Sequence, residues 1–455
     1  MGAVVVGLGK TGASCLRYLA KHGIPVTATD SRTVPPNLAE LGHLAKTLDI
    51  RVGGFDLSLL DGATQLVISP GVSLDEPIAR AARDRGIEVV GDVELFARAA
   101  RAPVIGITGT NGKSTVTVLV AAMANAAGRR VLAGGNLGEP VLDLLDQPLP
   151  DLYVIELSSF QLETTSSLGL LAAAVLNVTA DHMDRYDTVE DYARAKARIV
   201  ARAATVVLNA DDPLVSAMRA GATRVVTFST RQADADYSLL RSGERTHLVR
   251  FGEPVLDTAC MKIKGLHNAA NALAALALGD AADLPLPAML DAIEAFPGLP
   301  HRSSWVADID GLRFVDDSKG TNVGATVAAI AGFDGPLVLI AGGEGKGQDF
   351  GPLAAAFQGK VRHVVLIGRD APALERALAG VCTTERAASM DAAVAAAARA
   401  GRSGDTVLLS PACASLDMFR DYGHRGDVFA AAVRALAASE SSLASARGTA
   451  PGEAR

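Results

Sequence analysis

Short apolar runs recur along the chain, each followed by a longer stretch in which apolar residues return every three or four positions. A compact run of Val, Ile, Leu and Ala between Gly, Asp or Pro predicts a strand buried on both faces, and the longer period predicts a helix. The first region reads "AVVVGLG", a helical "TGASCLRYLAKHG", then "PVTATD", "TQLVISPGV" and "IEVVGD". The second reads "PVIGITG", a helix beginning at Lys113, "LYVIELSS", "AAAVLNVT", a helix over 189–203 and "TVVLNADDP". The third reads "LRFVDDS", "PLVLIAGG", "HVVLIGRD" and "TVLLSPACAS". Strand alternating with helix predicts parallel sheets, and such sheets bind ligands at their C-terminal strand ends. "ELFARAARAP" at 94–103 predicts a bridging helix, and "AMLDAIEAFPGLPHR" a helix halted at Pro297, with Gly298 and Pro300 completing a linker. The expected fold is α/β, with three α/β domains at 1–91, 92–297 and 298–438. Residues 439–455 turn to Ser, Ala, Gly and Pro and are expected to be a disordered tail.

Length agrees, since 455 residues exceed one ordinary core. The formal net charge of −7 argues against a nucleic-acid scaffold, so any phosphate must be met by local cations and backbone N–H groups. Cys15, Cys260, Cys382 and Cys413 are scattered without a C-x-x-C pair, which points away from zinc or redox chemistry and toward a reducing cytoplasm. The first apolar run lacks a preceding basic region, Val6 stands where myristoylation wants Ser or Thr, and no run is long enough to span a bilayer. No membrane or nucleic-acid partner is expected.

Two stretches look like phosphate loops. In "ITGTNGKST", Gly109 and Gly112 allow backbone N–H groups to face phosphate oxygens, and the following helix adds its dipole. Lys113 supplies a point charge, and Ser114 or Thr115 a hydroxyl for Mg²⁺. Ile107 stands where the usual motif has its first glycine, so this is a shorter G-x-x-G-K-S-T form. "VVVGLGKTG", with Asp30 ending the next strand, fits a dinucleotide fingerprint. Backbone N–H groups do not read a nicotinamide, so NAD, FAD or another diphosphate such as a nucleotide sugar all fit.

Other candidates stand at strand ends. Glu156 closes "LYVIE", placed either to hold Mg²⁺ or to serve as a cap or exposed acid. His182, flanked by Asp181 and Asp184, is a metal or substrate group or a structural histidine. Asp317 and its neighbours in "FVDDSKGTN" either cap a helix or meet a ligand. Cys413 has no identifiable partner histidine and is expected to be a small packed residue. By composition alone Lys196, in "EDYARAKARIV", belongs to the charged surface of a helix.

Taken in order, "GITGTNGKST", "GGNLG", "ELSSFQLE", "NVTADHMDRY", "GLHNAANALAAL", "GLPHR", "DDSKGTN" and "LSPACASLD" resemble the Mur ligase family over nearly the whole chain, most closely its glutamate-adding members. The resemblance implies a Rossmann-like first domain for a UDP-sugar, a central P-loop mononucleotide-binding domain for ATP, and a Rossmann-like third domain for the amino acid. It implies an ATP-dependent, amide-forming ligase acting on UDP-N-acetylmuramoyl-L-alanine and D-glutamate, a monomer of the cytoplasm. Lys10, Thr11, Asp30, Ser31 and Gly71 would contact the UDP-sugar, with Asn136 near its muramoyl part. Gly109, Thr110, Asn111, Gly112 and Lys113 would cradle phosphates, and Asn268, Asn271, Arg302 and Asp317 would contact ATP. Ser114, Thr115 and Glu156 would hold one Mg²⁺, and His182 with a carbamylated Lys196 a second, His182 also touching substrate. Lys319, Thr321, Lys346, Ser415, Leu416 and Tyr422 would bind glutamate. The rivals are an NAD-dependent oxidoreductase using the first glycine motif and a nonenzymatic nucleotide-binding protein. The first leaves "GTNGKST" unexplained; the intact lysine, carboxylate and histidine set argues against the second.

Overall fold

The computed structural model describes residues 2–136, 138–219, 222–333 and 335–447, the last nine as backbone only. The chain packs as two compact units. The first takes the residues up to Val178, Glu190–Met261 and Ala269–Phe296; the second takes Thr179–Val189, Lys262–Asn268 and the chain from Pro297.

The first unit holds two sheets. Strands β1 (Gly2–Val6), β2 (Val26–Asp30), β3 (Ile50–Val52), β4 (Ala63–Ile68) and β5 (Glu88–Val90) form a parallel sheet in the order β3-β2-β1-β4-β5. Val4, Val6, Leu66 and Ile68 are buried together on one face, as the unbroken apolar runs require. The order reverses between β1 and β4, which opens a crevice at their C-terminal ends.

Strands β6 (Val104–Thr108), β7 (Val131–Gly135), β8 (Leu152–Glu156), β9 (Leu170–Val175), β10 (Ala203–Asn209), β11 (Val225–Phe228), β12 (Tyr237–Ser242), β13 (Arg245–Arg250) and β14 (Glu253–Asp257) form the second sheet. Its order is β14-β13-β12-β11-β10-β9-β6-β8-β7. The last three strands pair antiparallel, a meander that the strand–helix pattern does not predict. Its runs are short and half-exposed, and turns at Gly243 and Gly252 replace helical crossovers. The helix expected over 189–203 is α-helical for Val189–Ala197 and tightens to 3₁₀ over Arg198–Arg202.

The second unit holds β15 (Ser304–Ile309), β16 (Leu312–Asp316), β17 (Leu337–Gly342), β18 (Val361–Ile367), β19 (Thr383–Arg386) and β20 (Thr406–Leu409), in the order β15-β16-β20-β17-β18-β19. All pairs are parallel except β15 with β16. Alternate residues of β17 feed opposite cores: Leu339 packs with Leu353 and Phe357, Ile340 with Val365 and Phe429. A final helix runs Tyr422–Arg447, so the stretch from 439 that was expected to be disordered is helical backbone as far as Arg447. Alanine-rich sequence has high helix propensity, and Phe429 and Val433 anchor the helix to the core. Residues 448–455 lie outside the described residues.

Candidate active site

In the first unit, the loop after β6 enters the helix Lys113–Ala126 through two glycines with positive φ, Gly109 at 151° and Gly112 at 85°. A Cβ on Gly112 would stand 2.4 Å from Asn271 Oδ1, so only glycine fits both the dihedral and the space. Asn177, after β9, pins the loop: its Oδ1 accepts from Asn111 N at 2.8 Å, its Nδ2 donates to Asn111 O at 3.0 Å, and its carbonyl accepts from Thr110 N at 2.8 Å. The N–H groups of the next turn, from Lys113 to Thr115, point out of the helix start toward any anion there. Lys113 Nζ lies over the loop, donating to Gly109 O and Thr110 O at 2.9 Å each.

Glu156 ends β8, with its Cα paired to Ile107, so it shares the C-terminal edge with the loop. It is 2% exposed. Its Oε1 accepts from Asn136 Nδ2 at 2.7 Å, while Oε2 is buried without a hydrogen-bond partner among the described residues. A buried, unpaired carboxylate oxygen is costly unless a cation meets it. With the buried hydroxyls of Ser114 and Thr115, this donor set suits a hard cation such as Mg²⁺. Among the described residues no three His, Cys, Asp or Glu converge, so phosphate oxygens and water would complete its shell.

Lys196 is not on the surface. It is 1% exposed, its Nζ donates to Gly109 O at 2.9 Å, and it stands 4.2 Å from the centre of the Tyr192 ring. The charge pattern of its helix described the opposite face: Lys196 shares the buried face with Tyr192, Ala193 and Ala195.

The crevice of the first sheet is a cleft of about 530 Å³. Lys10, Thr11, Asp30, Ser31, Gly71 and Asn136 all line it, joined by Arg32, Gly138 and Gln161. Leu137 lies outside the described residues. Gly12 is obligatory, since a Cβ there would meet Gly7 O at 1.8 Å. Asp30 does not offer a free carboxylate: Oδ2 accepts from Leu8 N at 2.6 Å and Arg32 Nη2 at 2.7 Å, and Oδ1 accepts from Arg32 N and Nε. Burial works against its charge, but Arg32 and these N–H groups outweigh it and hold the carboxyl below its ordinary range. The acid that a dinucleotide site would turn to a ribose is spent here on fixing the glycine loop and Arg32. Lys10 Nζ donates to Gly138 O at 2.6 Å, and Ser14 and Arg17 bond Asp143, so the helix after β1 is stitched to the stretch following β7.

The second unit gathers its own candidates at the C-terminal ends of β16, β17 and β20. Glu344 and Ala414 exchange both backbone hydrogen bonds, which ties the loop of Lys346 to that of Ser415. Lys319 Nζ stands 3.8 Å from the centre of the Tyr422 ring, and Thr321 N donates to Lys319 O at 2.8 Å. Leu416 is exposed beside buried Ser415. His182, at φ 59°, and Lys346, at φ 51°, hold left-handed conformations that non-glycine residues rarely adopt. Asp317 accepts from Ser410 Oγ at 2.8 Å and Ser303 N at 3.1 Å, and burial pushes its carboxyl up to about 7. Asn268 Nδ2 donates to Lys264 O at 2.9 Å, in this unit, whereas Asn271 belongs to the first. Arg302 lies near enough to Asp317 and His267 to affect both electrostatically.

Sequence patterns missed Arg32, Asn177, Asp181, Gln161 and Arg425. Arg425 is fully buried, bonding Ser318 O, Ser318 Oγ and Cys413 O, and burial pulls its guanidinium down to about 10. It holds the loops after β16 and β20 together. An arginine in a helical run carries no sign of this, whereas the asparagine just past β9 was open to the strand-end rule. Cys413 is buried, and burial pushes its thiol up to about 12, which suits an inert packed residue.

Three family models match: "Mur ligase MurD-like, N-terminal domain" over 1–91, "Mur ligase middle domain" over 107–279 and "Mur ligase, glutamate ligase domain" over 301–413. A UDP-N-acetylmuramoylalanine–D-glutamate ligase of Nitrosococcus oceani is 54% identical over 437 residues, covering 95% of this chain and 96% of its own. That of Pseudomonas aeruginosa is 48% identical over 439 residues, covering 95% and 98%. The solved UDP-N-acetylmuramate-alanine ligase MurC of Thermotoga maritima shares the fold, with a TM-score of 0.61 at 18% identity over 96% of this chain and 99% of its own.

Proposed function

The chain belongs to the Mur ligase family, and on that premise we propose how its residues divide the work. It is an ATP-dependent, ADP-forming ligase that joins D-glutamate to UDP-N-acetylmuramoyl-L-alanine in peptidoglycan precursor synthesis. The oxidoreductase alternative is dropped, because the relatives are ligases and Asp30 is committed to Arg32. In the proposed division, 1–91 binds the UDP-sugar, 92–297 binds ATP and 298–438 binds glutamate.

A carboxylate is a poor acyl donor: its charge repels the amine and oxide is a poor leaving group. Transfer of the γ-phosphoryl of ATP gives an acyl phosphate with an expellable leaving group. Glutamate's amine then attacks the carbonyl carbon, and phosphate departs from the tetrahedral intermediate. The chain's part is positioning and charge neutralisation. The turn 109–115 orients the phosphates through N–H groups and Lys113. Ser114 or Thr115 and Glu156 hold Mg²⁺, with Asn136 fixing the Glu156 carboxylate. An ion held by these groups would supply neutralisation of the phosphate charge. Asn271 orients ATP beside Gly112, and Asn268, Arg302 and Asp317 are assigned to the same nucleotide. Lys10, Thr11, Asp30, Ser31 and Gly71 frame the UDP-sugar cleft, Asp30 through Arg32. Lys319, Thr321, Lys346, Ser415, Leu416 and Tyr422 form the glutamate site.

A second Mg²⁺ is assigned to Lys196 as a carbamate, with His182. An ammonium repels the ion, whereas a CO₂ adduct supplies two oxygens and a negative charge. The burial of Lys196 under Gly109 O supports a role at the phosphate loop. The protein is proposed to act as a cytoplasmic monomer; no helix among the described residues is long and apolar enough to cross a membrane.

The unpartnered, buried Glu156 oxygen beside the glycine–lysine turn carries this reading of the site. The test is ADP release with each substrate omitted in turn. Full turnover requires ATP, Mg²⁺, UDP-N-acetylmuramoyl-L-alanine and D-glutamate together; equal release without either acceptor substrate refutes it.

A further inference from the structure

We propose that Asp181 is the counter-charge for the α-ammonium of the incoming amino acid, which makes it a specificity-determining residue of the glutamate site. The proposal rests on the assignment of Lys346 to that site. Asp181 belongs to the second unit and is 6% exposed. Three groups converge at the start of the helix Val323–Ala331. Asn322 caps this helix, accepting from Ala325 N at 2.8 Å, which forces its amide nitrogen outward to donate to Asp181 Oδ2 at 3.1 Å. Gln348 accepts from Val323 N at 2.9 Å and so draws the loop of Lys346 to the same point. Asp181 Oδ1 accepts from His182 N at 2.9 Å, and Thr179 packs so closely on Gly324 that a Cβ there would stand 2.7 Å from Thr179 Oγ1. The carboxylate is thus held from both sides.

Lys346 Nζ lies 3.4 Å from Asp181 Oδ1. A tight charge-assisted bond between such groups is about 2.7–2.9 Å, so this pair is loose. His182 Nε2 stands 3.8 Å from Asp181 Oδ2. An α-amino acid carries a carboxylate and an ammonium on one carbon. With its carboxylate on Lys346, the amino acid's ammonium falls beside Asp181, and each of its charges meets an opposite one. A lysine alone would accept any dicarboxylate; the aspartate selects one that bears a cation. The ammonium must be held here before losing its proton to become the nucleophile.

The experiment compares D-glutamate with two mimics lacking the cation, glutarate and D-2-hydroxyglutarate, as competitive inhibitors of the full-length enzyme. In the wild type, both mimics bind about 10- to 100-fold more weakly than glutamate, the range expected for a hydrogen bond to a charged group. In Asp181→Asn the glutamate KM rises by that factor, while the inhibition constants of both mimics change less than about twofold, so the preference for glutamate disappears. Mimics as tight as glutamate in the wild type would overturn the proposal without any variant. So would a variant that weakens glutamate and mimics equally, which is the signature of structural damage, or one that changes neither. Lys346→Ala is the control for the premise: it weakens glutarate, and unchanged glutarate inhibition would refute the site itself rather than the role of Asp181.

Discussion

Glu156→Gln should make the ligand-free protein more stable and the enzyme nearly inactive. The substitution keeps the shape of the side chain and removes its charge. Asn136 Nδ2 still has a carbonyl oxygen to meet at the 2.7 Å position of Oε1. What disappears is a buried anionic oxygen with no partner. A buried polar group left unpaired costs about 1–3 kcal/mol. The glutamine amide recovers part of this, so a gain of about 1 kcal/mol is expected. For a folding unit of this size that is a rise of about 2–4 °C in Tm. Mg²⁺ with a nonhydrolysable ATP analogue should reverse the order. At a hundred times its Kd a ligand stabilises the wild type by about 2.7 kcal/mol, and the variant, lacking the carboxylate, should gain little. Turnover should fall by about 10²–10³, with the Mg²⁺ dependence shifted to higher concentration. Thermal unfolding with and without Mg²⁺ and nucleotide, alongside ADP release over a Mg²⁺ titration, measures both arms. A ligand-free variant that melts below the wild type, or an unchanged Mg²⁺ midpoint, refutes the assignment of Oε2 as a cation ligand.

Asp317 offers a pH test. Burial raises its carboxyl from 3.8 to about 7, so the folded state binds more protons than the unfolded one between those values and loses stability as pH rises through the window. Asp317→Asn should therefore match the wild type in stability near pH 4 and gain on it steadily up to about pH 7, with a constant advantage above; a flat difference across urea melts at these pH values contradicts the raised value. Gly112→Ala places a Cβ 2.4 Å from Asn271 Oδ1 at φ 85°, so it should raise the ATP KM by about tenfold or more while leaving the binding of the UDP-substrate unchanged by calorimetry. Equal loss of both would mean that the glycine serves the whole unit instead of the loop. Lys196→Ala should be nearly inactive and partly rescued by acetate or formate, and ¹³C-bicarbonate should label the wild type with one carbamate signal absent from the variant. A fully active variant would remove Lys196 from the site, and an unlabelled wild type would reject the carbamate.

Local pattern by itself determined the strands that carry the chemistry. β6 with its glycine–lysine turn, β1 with its three glycines, and β16 with its paired acids were legible because a buried strand is a short apolar run and a ligand turn follows it at fixed offset. Which end of each strand would hold the site followed from the parallel order alone. Folding decided everything that depends on two distant segments meeting. The sequence around Lys196 describes a charged helix, and only the position of that helix over Gly109 buries the ammonium. Sequence left Glu156 as a ligand, a cap or an exposed acid; only the fold buries its second oxygen with no hydrogen-bond partner among the described residues. Arg425 sits in an unremarkable helical stretch and Asp181 reads only as a neighbour of His182, yet one bridges residues 318 and 413 and the other meets Asn322 and Lys346. The antiparallel meander β12–β14 escaped because its half-exposed strands lack the unbroken apolar run. The helix to Arg447 escaped because an Ala- and Ser-rich composition resembles a tail, whereas its alanines are strong helix formers continuing a helix anchored by Phe429. Periodicity is written in neighbours along the chain; burial and charge pairing are properties of neighbours in space, and only the folded chain supplies those.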